Sequence, residues 1–145
     1  MFIFEPDDVS LEIQNAFERL IPQLTKFSQP PLLEDLKRMV KSETIYLFLA
    51  RYPDQEGEIV GTATLGTFLS PTGEHGWIED VVVDENFRNK GLGKTLTEAC
   101  LEKAREIGLK EVNLTSNPNR KAANSLYQSM GFIQRETNLY RYPLL

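Results

Sequence analysis

The chain has 145 residues, 41% of them hydrophobic and 10% aromatic, with a net charge of −5 and a pI near 5.0. That length suits one domain with its own core, the composition is globular without an apolar run of about 18 residues, and an acidic chain argues against a basic nucleic-acid face. One cysteine, Cys100, and one histidine, His75, exclude an internal disulfide framework and a Cys/His metal cluster.

MFIFEPDD turns acidic at once and lacks the basic start and long apolar core of a secretory signal, so a soluble cytoplasmic protein with no membrane partner is expected. Met1 to Phe4 reads as a short first strand, and Pro6-Asp7-Asp8 as a turn or helix start. From Ser10, a plausible N-cap, Leu11, Ile13, Phe17, Leu20, Ile21 and Leu24 recur at helical spacing, with Pro22 complicating the last turn. Leu33, Leu36, Met39 and Val40 mark a second, shorter helix after a proline-bearing loop.

Ile45 to Ala50 and Glu58 to Leu69 are apolar, β-rich runs separated by Pro53-Asp54 and Gly57, which predicts a hairpin. Ser70 to Gly76 reads as a polar loop holding His75, and Trp77 to Val83 as a third strong strand. A turn with Arg88, Lys90, Gly91, Gly93 and Lys94 then leads into a helix whose stripe is Leu92, Leu96, Cys100, Ala104 and Ile107, ended by Gly108. Cys100 lies on that stripe, where packing is a better reading than nucleophilic chemistry because nothing near it in sequence would lower its pKa. Glu111 to Thr115 is read as a short strand and Lys121 to Met130 as a helix closed by Gly131. Phe132 to Arg135 with Leu139 to Tyr142 is read as a last hairpin.

An apolar strand, a glycine-bearing turn and a helix start together make an anion site, because unpaired first-turn N–H groups and the helix dipole point at the ligand. Two nucleotide motifs fail here. A Walker A loop requires glycine where this chain has Arg88, and the dinucleotide fingerprint loses its third glycine at Thr95 and Leu96. What the stretch fits is Arg-x-x-Gly-x-Gly, as Arg88-Asn89-Lys90-Gly91-Leu92-Gly93.

With that hexapeptide, the strand at Val112 to Thr115, the Leu126-Tyr127 pair and the Gly131-Phe132 closure, the sequence from about Ile45 onward resembles the GCN5-related N-acetyltransferase (GNAT) family. The resemblance implies an α/β fold over a single domain, residues 1–145. Its sheet would be mixed and mostly antiparallel, flanked by helices on both faces, with splayed strands forming an acetyl-CoA cleft. It implies acetyl-CoA as co-substrate and no metal. Arg88, Asn89, Lys90, Gly91, Leu92, Gly93 and Lys94 would cradle the diphosphate, while the backbone of Val81, Val82 and Val83 would hold the pantetheine arm.

Acetyl transfer needs a neutral amine, a donor to the carbonyl oxygen and a proton for the leaving thiolate. By resemblance, a carboxylate at Glu79 serves as base and the Tyr127 phenol as proton donor. Asp80 is the second candidate base, and strand alternation would send the two carboxylates to opposite faces. Many members carry asparagine seven residues before the tyrosine; this chain has Arg120 there, with Asn124, Asn117 and Asn119 as substitutes. Tyr140 and Tyr142 either line the acceptor site or pack. The implied activity is direct transfer to a primary amine of a small molecule or peptide through a ternary complex, the alternative being a CoA-binding sensor or interaction module. Partners are an amine acceptor and, as in many members, a second copy of the chain.

Overall fold

The computed structural model describes residues 1–145, which form two compact units, Met1–Thr115 and Ser116–Leu145. The first unit opens with β1 (Phe2–Phe4), α1 (Leu11–Leu24) and α2 (Leu33–Lys41). Ser10 caps α1, its hydroxyl accepting from the Ile13 N–H at 3.2 Å and so satisfying one otherwise orphan donor. The apolar stripe buries Ile13, Ala16, Phe17, Leu20 and Ile21. Pro22 sits inside the last turn without ending the helix, because it lies on the exposed side, where water can satisfy the carbonyl that its missing N–H leaves unpaired. In α2, Glu34 and Asp35 in the first turn and Arg38 and Lys41 in the last complement the helix dipole, and Leu36 is fully buried.

β2 (Ile45–Tyr52), β3 (Glu58–Ser70), β4 (Gly73–Val83) and β5 (Val112–Asn113) complete a five-stranded sheet in the order β1-β2-β3-β4-β5. The first three pairings are antiparallel and β4 pairs β5 in parallel. α3 (Leu92–Glu106) lies between β4 and β5 in the chain. Alternation on β2 divides the core: Leu47 and Leu49 join Ile13, Ala16, Phe17, Ile21 and Leu36 beneath α1 and α2. Ala50 faces the other way with its partner Gly61, and a Cβ on Gly61 would lie 3.0 Å from Leu96 Cδ1 of α3. A glycine there lets α3 press close to β3. Helices therefore cover both faces. A bulge between Ala50 and Arg51 places Ile59, two residues before Gly61, with the α1–α2 cluster.

Three sequence expectations change. Ser70 to Gly76 is not a loop: Pro71 and Thr72 alone turn the chain, with Gly73 at φ 122 pairing Ser70, so β4 starts four residues before Trp77. His75 is consequently a strand residue, stacked on Phe68 at 5.1 Å with Nε2 2.7 Å from the Ser70 hydroxyl and 2.9 Å from that of Thr72. β5 spans only Val112–Asn113 rather than Glu111 to Thr115. The final hairpin is absent: residues 133–145 contain no strand, and Ile133, Leu139, Tyr140 and Tyr142 are exposed. Alternating apolar residues make a strand only when a neighbouring edge takes up their backbone groups, and this segment pairs with none.

The second unit is built on α4 (Lys121–Ser129). Its end is closed by Gly131 at φ 99 and by the Phe132 N–H, which donates to the Tyr127 carbonyl at 3.0 Å. The Tyr127 and Phe132 rings meet edge to face at 5.6 Å.

Candidate active site

β4 is paired unequally along its length. Against β5 it makes register only at Gly76 and Trp77, so from Ile78 to Val83 that edge has no strand partner and its backbone groups are available. Against β3 the register slips: Thr64 faces Glu79 but Thr62 faces Val82, inserting an extra residue into β4. Asp80, at φ 52, carries the distortion in the left-handed region. The regular alternation that would set Glu79 and Asp80 on opposite faces is interrupted between Glu79 and Val82. Alternation holds only for an unbroken ladder, and here both carboxylates are exposed.

Glu79 has its pKa raised, first because packed neighbours strip part of its hydration and then because Asp80 is a nearby like charge. A carboxylate pushed upward is a better proton acceptor than an ordinary one. Val82 is buried while Val81 and Val83 are half-buried, so the strand serves the core with its side chains and leaves its backbone edge for other use.

Beyond Val83, Asp84 caps a single 3-10 turn, Glu85–Phe87, its carboxylate accepting from the Asn86 N–H. Arg88 then folds back, its Nε donating to the Val83 carbonyl at 3.2 Å. Asn89 at φ 62 and Gly91 at φ 80 turn the chain through the left-handed region and aim it into α3. Lys90 lies over the Tyr52 ring at 5.3 Å, and Lys94 approaches Glu98 at 3.8 Å. Buried Leu92 and Leu96 anchor the first turns of α3, while Gly91, its N-cap, offers no side-chain cap. The first-turn N–H groups of α3 have no intrahelical acceptor. With Arg88, Lys90 and Lys94 exposed around them, they form a seat for an anion.

Cys100 is fully buried in α3, and burial, with a smaller contribution from Glu5, pushes its thiol up to about 12. It stays protonated and inert, as its place on the apolar stripe implied. In the second unit, Tyr127 is buried on α4, and Asn124 Nδ2 donates to the carbonyls of Asn117 and Arg120, both at 2.9 Å. That amide fixes the loop entering α4. Glu79, the free β4 edge and the glycine turn thus share one continuous stretch of the first unit; Tyr127 and Asn124 belong to the second. Two shallow depressions, beside α2 at Asp35 to Ile45 and along α1 at Leu11 to Arg19, include no residue of β4 or of the glycine turn.

Sequence reading missed Asp84, Arg19 and Gln23. Asp84 had a local signal, an Asp two residues before the Asn86 N–H that it caps. Arg19 had none, because its partner lies 65 residues away.

The structure is an α/β sheet whose fourth strand sheds one neighbour and runs through a glycine turn into an uncapped helix. The family model for the Acetyltransferase (GNAT) family matches residues 13–132, and the chain belongs to that family. Among curated relatives, the uncharacterized N-acetyltransferase YhdJ of Bacillus subtilis is 42% identical over 73 residues, 50% of this chain and 51% of that protein. N-alpha-acetyltransferase 30 of Dictyostelium discoideum is 29% identical over 124 residues, 76% of this chain and 66% of that protein. The chain therefore spans between half and two thirds of the length of these two relatives. A solved acetyltransferase from Trypanosoma brucei superposes with a TM-score of 0.77 at 27% identity, covering 98% of this chain and 100% of the other.

Proposed function

We propose that residues 1–145 act as an acetyl-CoA-dependent N-acetyltransferase domain that moves an acetyl group directly to a primary amine. The observation that carries this is the β4 edge left open from Ile78 to Val83 and running straight into the uncapped start of α3. The residues present fit CoA: Gly91 at φ 80 keeps side chains from its diphosphate, and Arg88, Lys90 and Lys94 supply countercharge to it. Arg88, Asn89, Lys90, Gly91, Leu92, Gly93 and Lys94 hold the diphosphate, Val81 to Val83 take the pantetheine through their backbone, and Asn124 is assigned to the same cofactor.

Bound there, acetyl-CoA supplies an activated acetyl thioester. Glu79 accepts a proton from the acceptor ammonium, its raised pKa bringing it closer to that task than a fully hydrated carboxylate. Backbone N–H groups of the open β4 edge orient and polarise the carbonyl. The Tyr127 phenol gives its proton to the departing sulfur, the transfer running from one weak acid to the conjugate base of another. The inert Cys100 supports direct transfer over a covalent acyl-enzyme.

Relatives support an amine acceptor. One is named a glucosamine 6-phosphate N-acetyltransferase, 27% identical over 139 residues of a rice protein, and the Dictyostelium relative is named for N-alpha acetylation. The test is thiol release from acetyl-CoA across a panel of amino sugars, polyamines and peptide N-termini, with Tyr127→Phe in parallel. Release that depends on one amine class and drops in the variant is expected. Binding of CoA without release for any amine would favour a CoA sensor instead.

A further inference from the structure

The connection between β4 and the glycine turn is held by residues that the turn does not contain. Asp84 is 4% exposed, the one charged residue buried in the chain. One of its carboxylate oxygens accepts from Arg19 Nε at 3.2 Å and the other from the Asn86 N–H at 3.0 Å, while its own N–H donates to the Val60 carbonyl at 2.8 Å. Arg19, on α1, uses its second arm to donate from Nη2 to the Ile59 carbonyl. One helical turn later, Gln23 accepts from the Glu85 N–H at 2.8 Å and donates to the Arg19 carbonyl at 3.2 Å.

Two consecutive residues leading into the turn therefore hang from two side chains one turn apart on α1. The guanidinium joins three places at once, α1, β3 and the residue that follows β4. A buried carboxylate is a poor source of net stability when apolar residues could fill the same space, but its directional bonds fix an angle that apolar packing leaves loose. Downstream, Arg88 and Val83 close the short segment that begins at this anchor. Its far end is the anion seat.

Resting on the acetyl-CoA reading above, we infer that Arg19 and Gln23 are positioning residues that act through Asp84 and Glu85 to set how the glycine turn presents its N–H groups to the CoA diphosphate. Neither residue is placed in contact with the co-substrate. Their effect is confined to donors that carry a diphosphate.

That confinement gives the test. Steady-state kinetics of the full chain are compared for acetyl-CoA and S-acetylpantetheine, which has the same thioester but no diphosphate, in wild type, Arg19→Met, Arg19→Lys and Gln23→Leu. The expected result is a rise in KM for acetyl-CoA of about tenfold in Arg19→Met, with kcat nearly constant and kcat/KM for S-acetylpantetheine unchanged. Arg19→Lys, which keeps the charge but not the fork, falls between. Gln23→Leu removes no charge and keeps the Arg19–Asp84 pair, so it folds even if Arg19→Met does not, and its KM for acetyl-CoA rises about threefold. An unchanged KM in folded Gln23→Leu overturns the inference, as does an equal loss with both donors, which marks a general structural role. Calorimetry of wild type with CoA separates the two layers: no binding overturns the acetyl-CoA reading with everything built on it, whereas binding that the variants leave unaltered overturns the positioning role alone.

Discussion

The two halves of β4 are one strand put to two uses. From Gly73 to Trp77 it keeps an unbroken register with β3 and, at its last two residues, also pairs with β5. Side-chain space there is so tight that a Cβ on Gly76 would lie 2.5 Å from Leu109 Cδ1. From Ile78 to Val83 the strand keeps β3 only, slips register, and holds Asp80 in the left-handed region. Such a residue costs about 1 to 3 kcal/mol and persists where its surroundings over-determine it. The half in regular register with β3 supplies that constraint, and the half left open supplies backbone groups and a perturbed carboxylate. In this sheet, an open edge is made by withholding a partner strand.

Substitutions in the two halves should therefore separate activity from stability. The largest effect is expected for Glu79→Gln in the open half, where kcat/KM should fall by about 10²- to 10⁴-fold. Stability should move the other way. Because the pKa of Glu79 is raised in the folded chain, the fold holds its proton over a window in which the unfolded chain has released it, and stability falls as pH rises through that window. An amide at this position cannot titrate, so thermal melting of the variant at pH 7 should show an unchanged or slightly higher midpoint beside the lost activity; a lower midpoint would count against the assignment.

Gly91→Val, where the open half's continuation enters α3, should weaken CoA binding by more than about tenfold by calorimetry, since a β-branched residue at φ 80 is strained and would shift the turn that presents the first N–H groups of α3. In the paired half, Gly76→Val should lower stability by about 1 to 3 kcal/mol through overpacking against Leu109, read as a melting midpoint lower by several degrees. The smallest effect is expected for Asp80→Gly. Relief of the positive φ and the greater freedom of a glycine in the unfolded chain oppose each other, leaving less than about 1 kcal/mol. The informative readout is the pH–rate profile, whose acid limb should move toward lower pH because the like charge beside Glu79 is gone.

The two halves and the turn beyond them are unequally legible in the sequence. The run Trp77 to Val83 announces a strand, and Arg88, Gly91 and Gly93 announce the turn, because strand period, glycine freedom and helix stripe are each written within a few residues. The bulge at Asp80 is not legible: two adjacent carboxylates in an apolar strand fit a regular alternation equally well, and only the register with Thr62 and Thr64 breaks it. The turn after β3 misleads for a related reason. Ser70 to Gly76 is rich in polar residues, yet Gly73 at φ 122 lets two residues do the turning and returns Glu74 and His75 to the ladder.

The sequence alone determined the order of elements, the Ser10 cap, the apolar stripes of α1 and α3, the inert site of Cys100 and the glycine turn with its countercharges. Each depends on neighbours within about one or two turns, so local chemistry suffices. Tertiary structure decided where β4 loses β5, where the bulge interrupts β4 at Asp80, that residues 133–145 form no hairpin, and that Arg19 finds Asp84 across 65 positions. Those outcomes follow from strands and side chains competing for the same edges and buried acceptors over long separations, and no short pattern carries that competition.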